Sequence, residues 1–334
     1  MLDSNKTDFP NPSAFILLGI PGLKEAHVWI SILFCGIYAI VILGNFTILF
    51  IVKIELSLYA PMYYFLCMPA VIDLALSTSI LPKMLSIFWF NSREINFSAC
   101  LTQMYFIHYF SAMGSGILVA MAMDRYIAIC DPLKYSTTLS SPVVAKMGLV
   151  MVLRSCILVL PNVFLVRRCP YYITDIIPHT YCEPISMVKL LCGDISVNIY
   201  YGFSLTFLIT GMACSDITVN SIYGLFITLL TVSLDSLLIL LSYVMIFKTV
   251  LSVASHAECL RALNTCVSHL FAVLIFYTPE IGLSMIHRFG ESSSHLPPIL
   301  LGYVSMLVPP LMNPIIYSVK SKHLRVRIIR VFVK

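Results

Sequence analysis

Apolar residues dominate seven stretches of this chain, near 28–52, 62–88, 101–124, 143–165, 217–247, 264–286 and 298–317, each bounded by charged or turn-forming residues. A helix needs about twenty such residues to cross a hydrocarbon core roughly 30 Å thick. The pattern therefore predicts seven membrane-spanning helices. A transmembrane β-barrel would alternate apolar and polar positions in segments of about ten residues. Long runs such as Ile222 to Leu241 do not alternate, so the expected fold is an all-α seven-transmembrane helix bundle.

Composition sharpens that expectation. The chain is 59% hydrophobic and 11% charged, with a mean hydropathy of +0.92. A soluble protein is nearer half apolar and about a quarter charged. Lysine and arginine gather most densely after the last span, at Lys320, Lys322, Arg325, Arg327, Arg330 and Lys334. Positive charge stays on the cytoplasmic side, which places the C-terminus inside and the N-terminus outside the plasma membrane. The tail "VKSKHLRVRIIRVFVK" reads as a short amphipathic helix lying on anionic inner-leaflet lipids. No basic stretch with an adjoining apolar core opens the chain, so the first span is expected to direct insertion. Residues 1–27 read as a short polar extracellular N-terminus, with Asn5-Lys6-Thr7 as a glycosylation acceptor. Basic residues divided between two membrane faces and a tail give no reason to expect nucleic acid as a partner.

Eleven cysteines are scattered with no CxxC pair and no histidine-rich cluster, so no metal or other cofactor is expected. Cys100, Cys169, Cys182 and Cys192 fall on the outer, oxidising side, where a Cys100–Cys182 bridge would pin the loop after the fourth span over the bundle. Cys35, Cys67, Cys130, Cys156 and Cys266 read as small buried hydrophobes. Asp124, Arg125 and Tyr126 directly follow the apolar third span. A charge at the bilayer centre costs about 2.5 to 3.5 kcal/mol, so these two groups should sit at the membrane edge or neutralise each other. Asp73, Arg154 and Asp235 stand out as deep charges. A seven-helix transporter would also show an inverted repeat, and none is visible.

Seven segments, in order, then carry a resemblance. "PMYYFLCMPAVIDL" at 61–74, "LPKML" at 81–85, "MAMDRYIAICDPLKY" at 121–135, "HTYCE" at 179–183, "TCVSHL" at 265–270, "IHRFG" at 286–290 and "PPLMNPIIYSVKSKHLR" at 309–325 closely resemble vertebrate olfactory receptors, rhodopsin-like G protein-coupled receptors. "HTYCE" and "HRFG" look like the class I, fish-like branch. The resemblance implies a receptor, not an enzyme, that binds small odorants and activates a stimulatory, olfactory-type G protein to raise cyclic AMP. It implies a G protein switch at Asp124, Arg125 and Tyr126 with Asn313, Pro314 and Tyr317, and places Lys134, Ser268 and His269 on the same side. Pro314 removes a backbone hydrogen bond and lets the last helix bend. At 1.5 Å per residue His108 lies about 25 Å from Arg125, at pocket depth. The resemblance makes His108 a ligand contact and Tyr277 a relay into the sixth helix. It also makes Arg288, beside His287, the binder of a carboxylic acid, since a guanidinium can hold a carboxylate by two bonds. An amine receptor is disfavoured because the third helix has no acid at pocket depth.

Departures from the family are specific. Gly114 stands where class I receptors carry a glutamate facing the aspartate matched by Asp73, which puts a sodium site there in doubt. Tyr172 replaces a loop cysteine, leaving a second bridge between Cys169 and Cys192 open. Pro184 replaces a histidine, and Pro69 predicts a kink in the second helix. Most unusual is a tandem repeat, "CGDISVNIYYGFSLTFLITGMA" at 192–213 followed by "CSDITVNSIYGLFITLLTVSLD" at 214–235. The uninterrupted apolar part of the first copy falls short of the roughly twenty residues a span needs, so the fifth helix is expected in the second copy. The alternative outcome is a poorly folded or non-signalling receptor variant.

Overall fold

A computed structural model describes residues 13–20, 27–54, 61–168, 174–189, 217–253, 256–289, 296–320 and Val326. Seven long helices carry the fold: α1 (His27–Ile54), α2 (Pro61–Phe90), α3 (Phe97–Cys130), α4 (Ser141–Arg168), α5 (Ile217–Val253), α6 (His256–Phe289) and α7 (Leu296–Lys320). Each contains a stretch long and apolar enough to cross a membrane. The tail helix expected beyond α7, the glycosylation acceptor Asn5, the Cys169–Cys192 pair and the whole first repeat copy lie outside the described residues.

Burial follows helical periodicity. On α1, Phe34, Val41, Asn45, Ile48 and Ile51 point inward, while Trp29, Leu33, Leu43 and Phe50 remain exposed on the outer surface. Such outward apolar side chains suit lipid, which solvates them as well as a protein core would. On α5, Asp235, Ile239, Ile246 and Val250 are buried at spacings of four and seven, amid exposed leucines. Most of α3 runs through the middle of the bundle and packs against α2, α4, α5 and α6. α2 continues through both Pro69 and Pro82.

One part of the outer surface is not helical. The strands β1 (Ala14–Leu17), β2 (Glu94–Asn96) and β3 (Ile176–Ile177) form a sheet in the order β2-β1-β3, antiparallel between β1 and β2 and parallel between β1 and β3. This corrects the expectation of a plain polar N-terminal segment. Phe15 and Leu17 are fully buried, in one core with Met84, Cys100, Met104, Cys182, Ile299 and Tyr303. The N-terminal strand thus joins two loops into a lid.

Candidate functional site

The lid fixes the outer end of the bundle. Cys100, in the first turn of α3, is bonded to Cys182, with the two Cα atoms 5.5 Å apart. Beside the disulfide, Gln103 accepts from the Cys182 backbone N–H at 3.1 Å and donates to the Ser79 carbonyl at 3.0 Å. The hydroxyls of Thr180 and Tyr303 meet at 2.6 Å, and His179 Nε2 lies 3.2 Å from Glu183 Oε2. Between them Tyr181 is 1% exposed. Its hydroxyl descends against Gly302, where an added Cβ would stand 2.5 Å from it. Burial, with the charges of Glu183 and Glu280 nearby, holds the Tyr181 phenol well above its usual range.

Beneath the lid, His108 on α3 is partly buried, and its Nε2 is shielded with no hydrogen-bond partner among the described residues. Glu280 on α6 is partly buried too. Its Oε1 accepts from Ser305 of α7 at 3.0 Å and from Ser111 of α3 at 3.3 Å. The deep charges evident along the chain, Asp73, Arg154 and Asp235, include no acid at pocket depth on α3 for an amine. α6 supplies one. The signal was present, since Glu280 is the only Asp, Glu, Lys or Arg between Cys266 and Ile286.

About one helical turn deeper, four helices meet in a polar cluster. Tyr277 of α6 is buried and shares a 2.8 Å hydrogen bond with Ser115 of α3. The Ser115 hydroxyl also donates to Asp235 of α5, and Tyr277 reaches the same carboxylate at 3.5 Å. Arg154 of α4 donates to Asp235 Oδ2 at 2.7 Å. Gly116 makes room for this crossing, because a Cβ there would stand 3.3 Å from Arg154 Nη1 and 3.2 Å from Met151. Arg154 and Asp235, read singly as deep charges, are one ion pair.

Toward the inner half, Asp73 accepts two bonds from Asn313 Nδ2, at 3.0 and 3.3 Å. The aspartate deprived of an acid at Gly114 thus has a partner on α7, while Phe276 occupies the space beside Gly114, 3.2 Å from where a Cβ would be. A cavity of about 30 Å³ lies here, lined by Asp73, Ser111, Gly114, Phe276, Ser305 and Asn313, among others. Pro314 packs closely on Gly44 of α1, and Asn45 donates to the carbonyl of Pro310, which keeps this part of α7 against α1.

At the end of α3, Asp124 is 1% exposed. Its carboxylate lies 3.7 Å from Arg125 Nε and accepts from the Tyr135 hydroxyl at 2.6 Å. Burial, then the hydrogen bond and charge of Asp124, raises the Tyr135 phenol above its usual range, so it remains a donor. Tyr126 packs with Ile246, Val250 and Cys266, next to a 2.5 Å contact between the Tyr243 hydroxyl and His269 Nδ1. The third, fifth and sixth helices therefore converge around Tyr126, next in the chain to the Asp124–Arg125 pair. His287 and Arg288 fall in the last turn of α6 and Tyr317 near the end of α7, with side chains outside the described residues.

Comparison with known proteins decides what this bundle is. The olfactory receptor family profile matches residues 34–212 and 203–334. The chain belongs to the olfactory receptor family. It is 51% identical to human olfactory receptor 51G1, over 96% of this chain and 93% of that protein. It is 45% identical to human olfactory receptor 51E1, over 99% of this chain and 97% of that one, and 44% identical to mouse olfactory receptor 51E2, over 96% and 93%. As an olfactory receptor it is an odorant-sensing, multi-pass plasma membrane protein that works through a G protein, and it is not an enzyme. The two profile matches of this receptor overlap at 203–212, inside the repeated segment.

Proposed function

We propose that this receptor, of the class I branch, binds small volatile ligands in the outer half of the bundle and activates a stimulatory G protein to raise cyclic AMP. The N-terminus is extracellular, with Asn5 glycosylated and the lid closed by a further Cys169–Cys192 bridge. The C-terminal tail lies on the inner leaflet. Carboxylic acids are held by Arg288 with His287, their acyl chains running past His108 toward Tyr277. What supports the reading is one connected polar path: Tyr277, just below the ligand region, bonds to Ser115 and Asp235 and so ties α6 to α3 and α5. The inner ends of those helices converge around Tyr126, next in the chain to Asp124 and Arg125. A ligand that moves Tyr277 thereby favours one arrangement of the switch, which Asn313, Pro314 and Tyr317 complete on α7.

The test is cyclic AMP in cells expressing the full chain, challenged with carboxylic acids and neutral odorants, with surface staining alongside. Arg288→Ala is expected to raise the half-maximal concentration of an acid by about tenfold or more, the loss of a bidentate charged contact, with surface staining unchanged. An unchanged dose response removes Arg288 from the site.

The divided profile match favours a second reading, in which the duplication limits folding. The fifth membrane span lies in the second copy and the first copy is extra extracellular structure. Deleting 192–213 places Cys214 directly after Leu191, in the register of Cys192. Surface staining of the deleted chain should then exceed that of the full chain severalfold. Equal staining removes the repeat as the cause of poor folding.

A further inference from the structure

Glu280 is a carboxylate with hydroxyl partners only. Ser111 and Ser305 donate to the same oxygen, Oε1, and among the described residues no lysine, arginine or histidine pairs with it. A carboxylate oxygen accepts more than one bond, and Oε2 has the capacity of Oε1. A charge at this depth is costly without a counter-charge, and ionisable groups inside a bundle commonly mark a ligand path. A second, independent observation lies just above. The Tyr181 hydroxyl belongs to a side chain 1% exposed and has no hydrogen-bond partner among the described residues. It sits against Gly302, about one turn from Ser305 on α7, and within electrostatic range of Glu280. Buried hydroxyls in folded proteins are nearly always bonded, so an orphan within electrostatic range of Glu183 and Glu280 indicates a missing polar group.

We propose that Glu280, with the hydroxyls of Tyr181, Ser111 and Ser305, binds the ammonium head of a small primary amine. The three N–H donors of the head can be shared between the carboxylate and the hydroxyl oxygens around it. The proposal rests on the ligand occupying the outer half of the bundle, and does not depend on a carboxylate at Arg288 or on the choice of G protein.

The experiment uses the full chain purified in lipid nanodiscs, with its melting temperature followed against hexylammonium, hexanoate and hexanol. Hexylammonium should raise the melting temperature where hexanol of equal length does so weakly. Glu280→Gln preserves shape and can still accept from both serines, and should require about tenfold or more hexylammonium for the same rise. Tyr181→Phe removes a hydroxyl that has no partner among the described residues, and should weaken the amine severalfold even if the glutamine variant folds poorly. A hexylammonium shift without a hexanoate shift supports the amine site while counting against Arg288 as an acid binder. A shift with no cyclic AMP response likewise supports the site and counts against the coupling. No hexylammonium shift in the wild-type chain, or an equal shift in Glu280→Gln and Tyr181→Phe, overturns the proposal.

Discussion

Asp235→Leu should remove most of this receptor from the cell surface. Arg154 would keep its charge in the middle of the bundle while losing the 2.7 Å partner that compensates it, and Ser115 and Tyr277 would lose a shared acceptor. Stripping one member from a buried ion pair costs about 3 to 5 kcal/mol, against a total stability of roughly 5 to 15. The Arg154 side chain is 27% exposed, and in a bilayer a surface at this depth meets hydrocarbon, which cannot screen the charge as water would. The double variant Arg154→Leu/Asp235→Leu removes both charges and should recover much of the surface staining, since replacing a whole buried pair by apolar residues is often nearly neutral. Ligand response should stay impaired in the double variant, because Tyr277 is no longer tied to α5. Surface staining and dose response of the three chains decide the matter. Wild-type staining for Asp235→Leu would show that the pair does not support the bundle.

The second large effect is expected from Cys182→Ser. The bridge closes a separation of 82 residues, and a loop of that size corresponds to about 4 kcal/mol of constraint on the unfolded chain in the loop-entropy picture. Its loss should reach beyond the loop, because Cys100 and Cys182 share a buried core with Phe15 and Leu17 of β1 and Met84 of α2. Gln103 and the β1–β3 pairing would still hold part of the lid. Surface staining should fall sharply in Cys182→Ser, and equally in Cys100→Ser and in the double serine variant, since any one of them removes the same bond. A double variant much worse than either single one would mean that the two cysteines act separately.

Much of this architecture was legible from the chain alone. A bilayer leaves no water for exposed backbone groups, so each crossing must be a long apolar helix, and seven such runs could be read directly. Asp124 and Arg125 were readable because charge after an apolar run can only mark an edge. Arg154 and Asp235 were visible as charges and not as a pair, since their contact depends on which face each helix turns inward and on Gly116 leaving a gap. The strand at Ala14–Leu17 was missed because four residues carry too little periodicity, and its partners at 94–96 and 176–177 come from distant loops. Glu280 was not legible as a site from helix order alone, because its serine partners come from α3 and α7. As a lone acid in an apolar span it could have been found.

The membrane class, the seven helices, the receptor family and the duplication could all be read along the chain, because they follow from residue type and order. Helix packing was needed to show that Arg154 neutralises Asp235, that Asn313 answers Asp73 where Gly114 does not, and that Tyr181 descends from the lid against Gly302. Each of those rests on the rotation and separation of packed helices. A single helix shows its own stripe of polar residues, and only the bundle shows which stripes face one another.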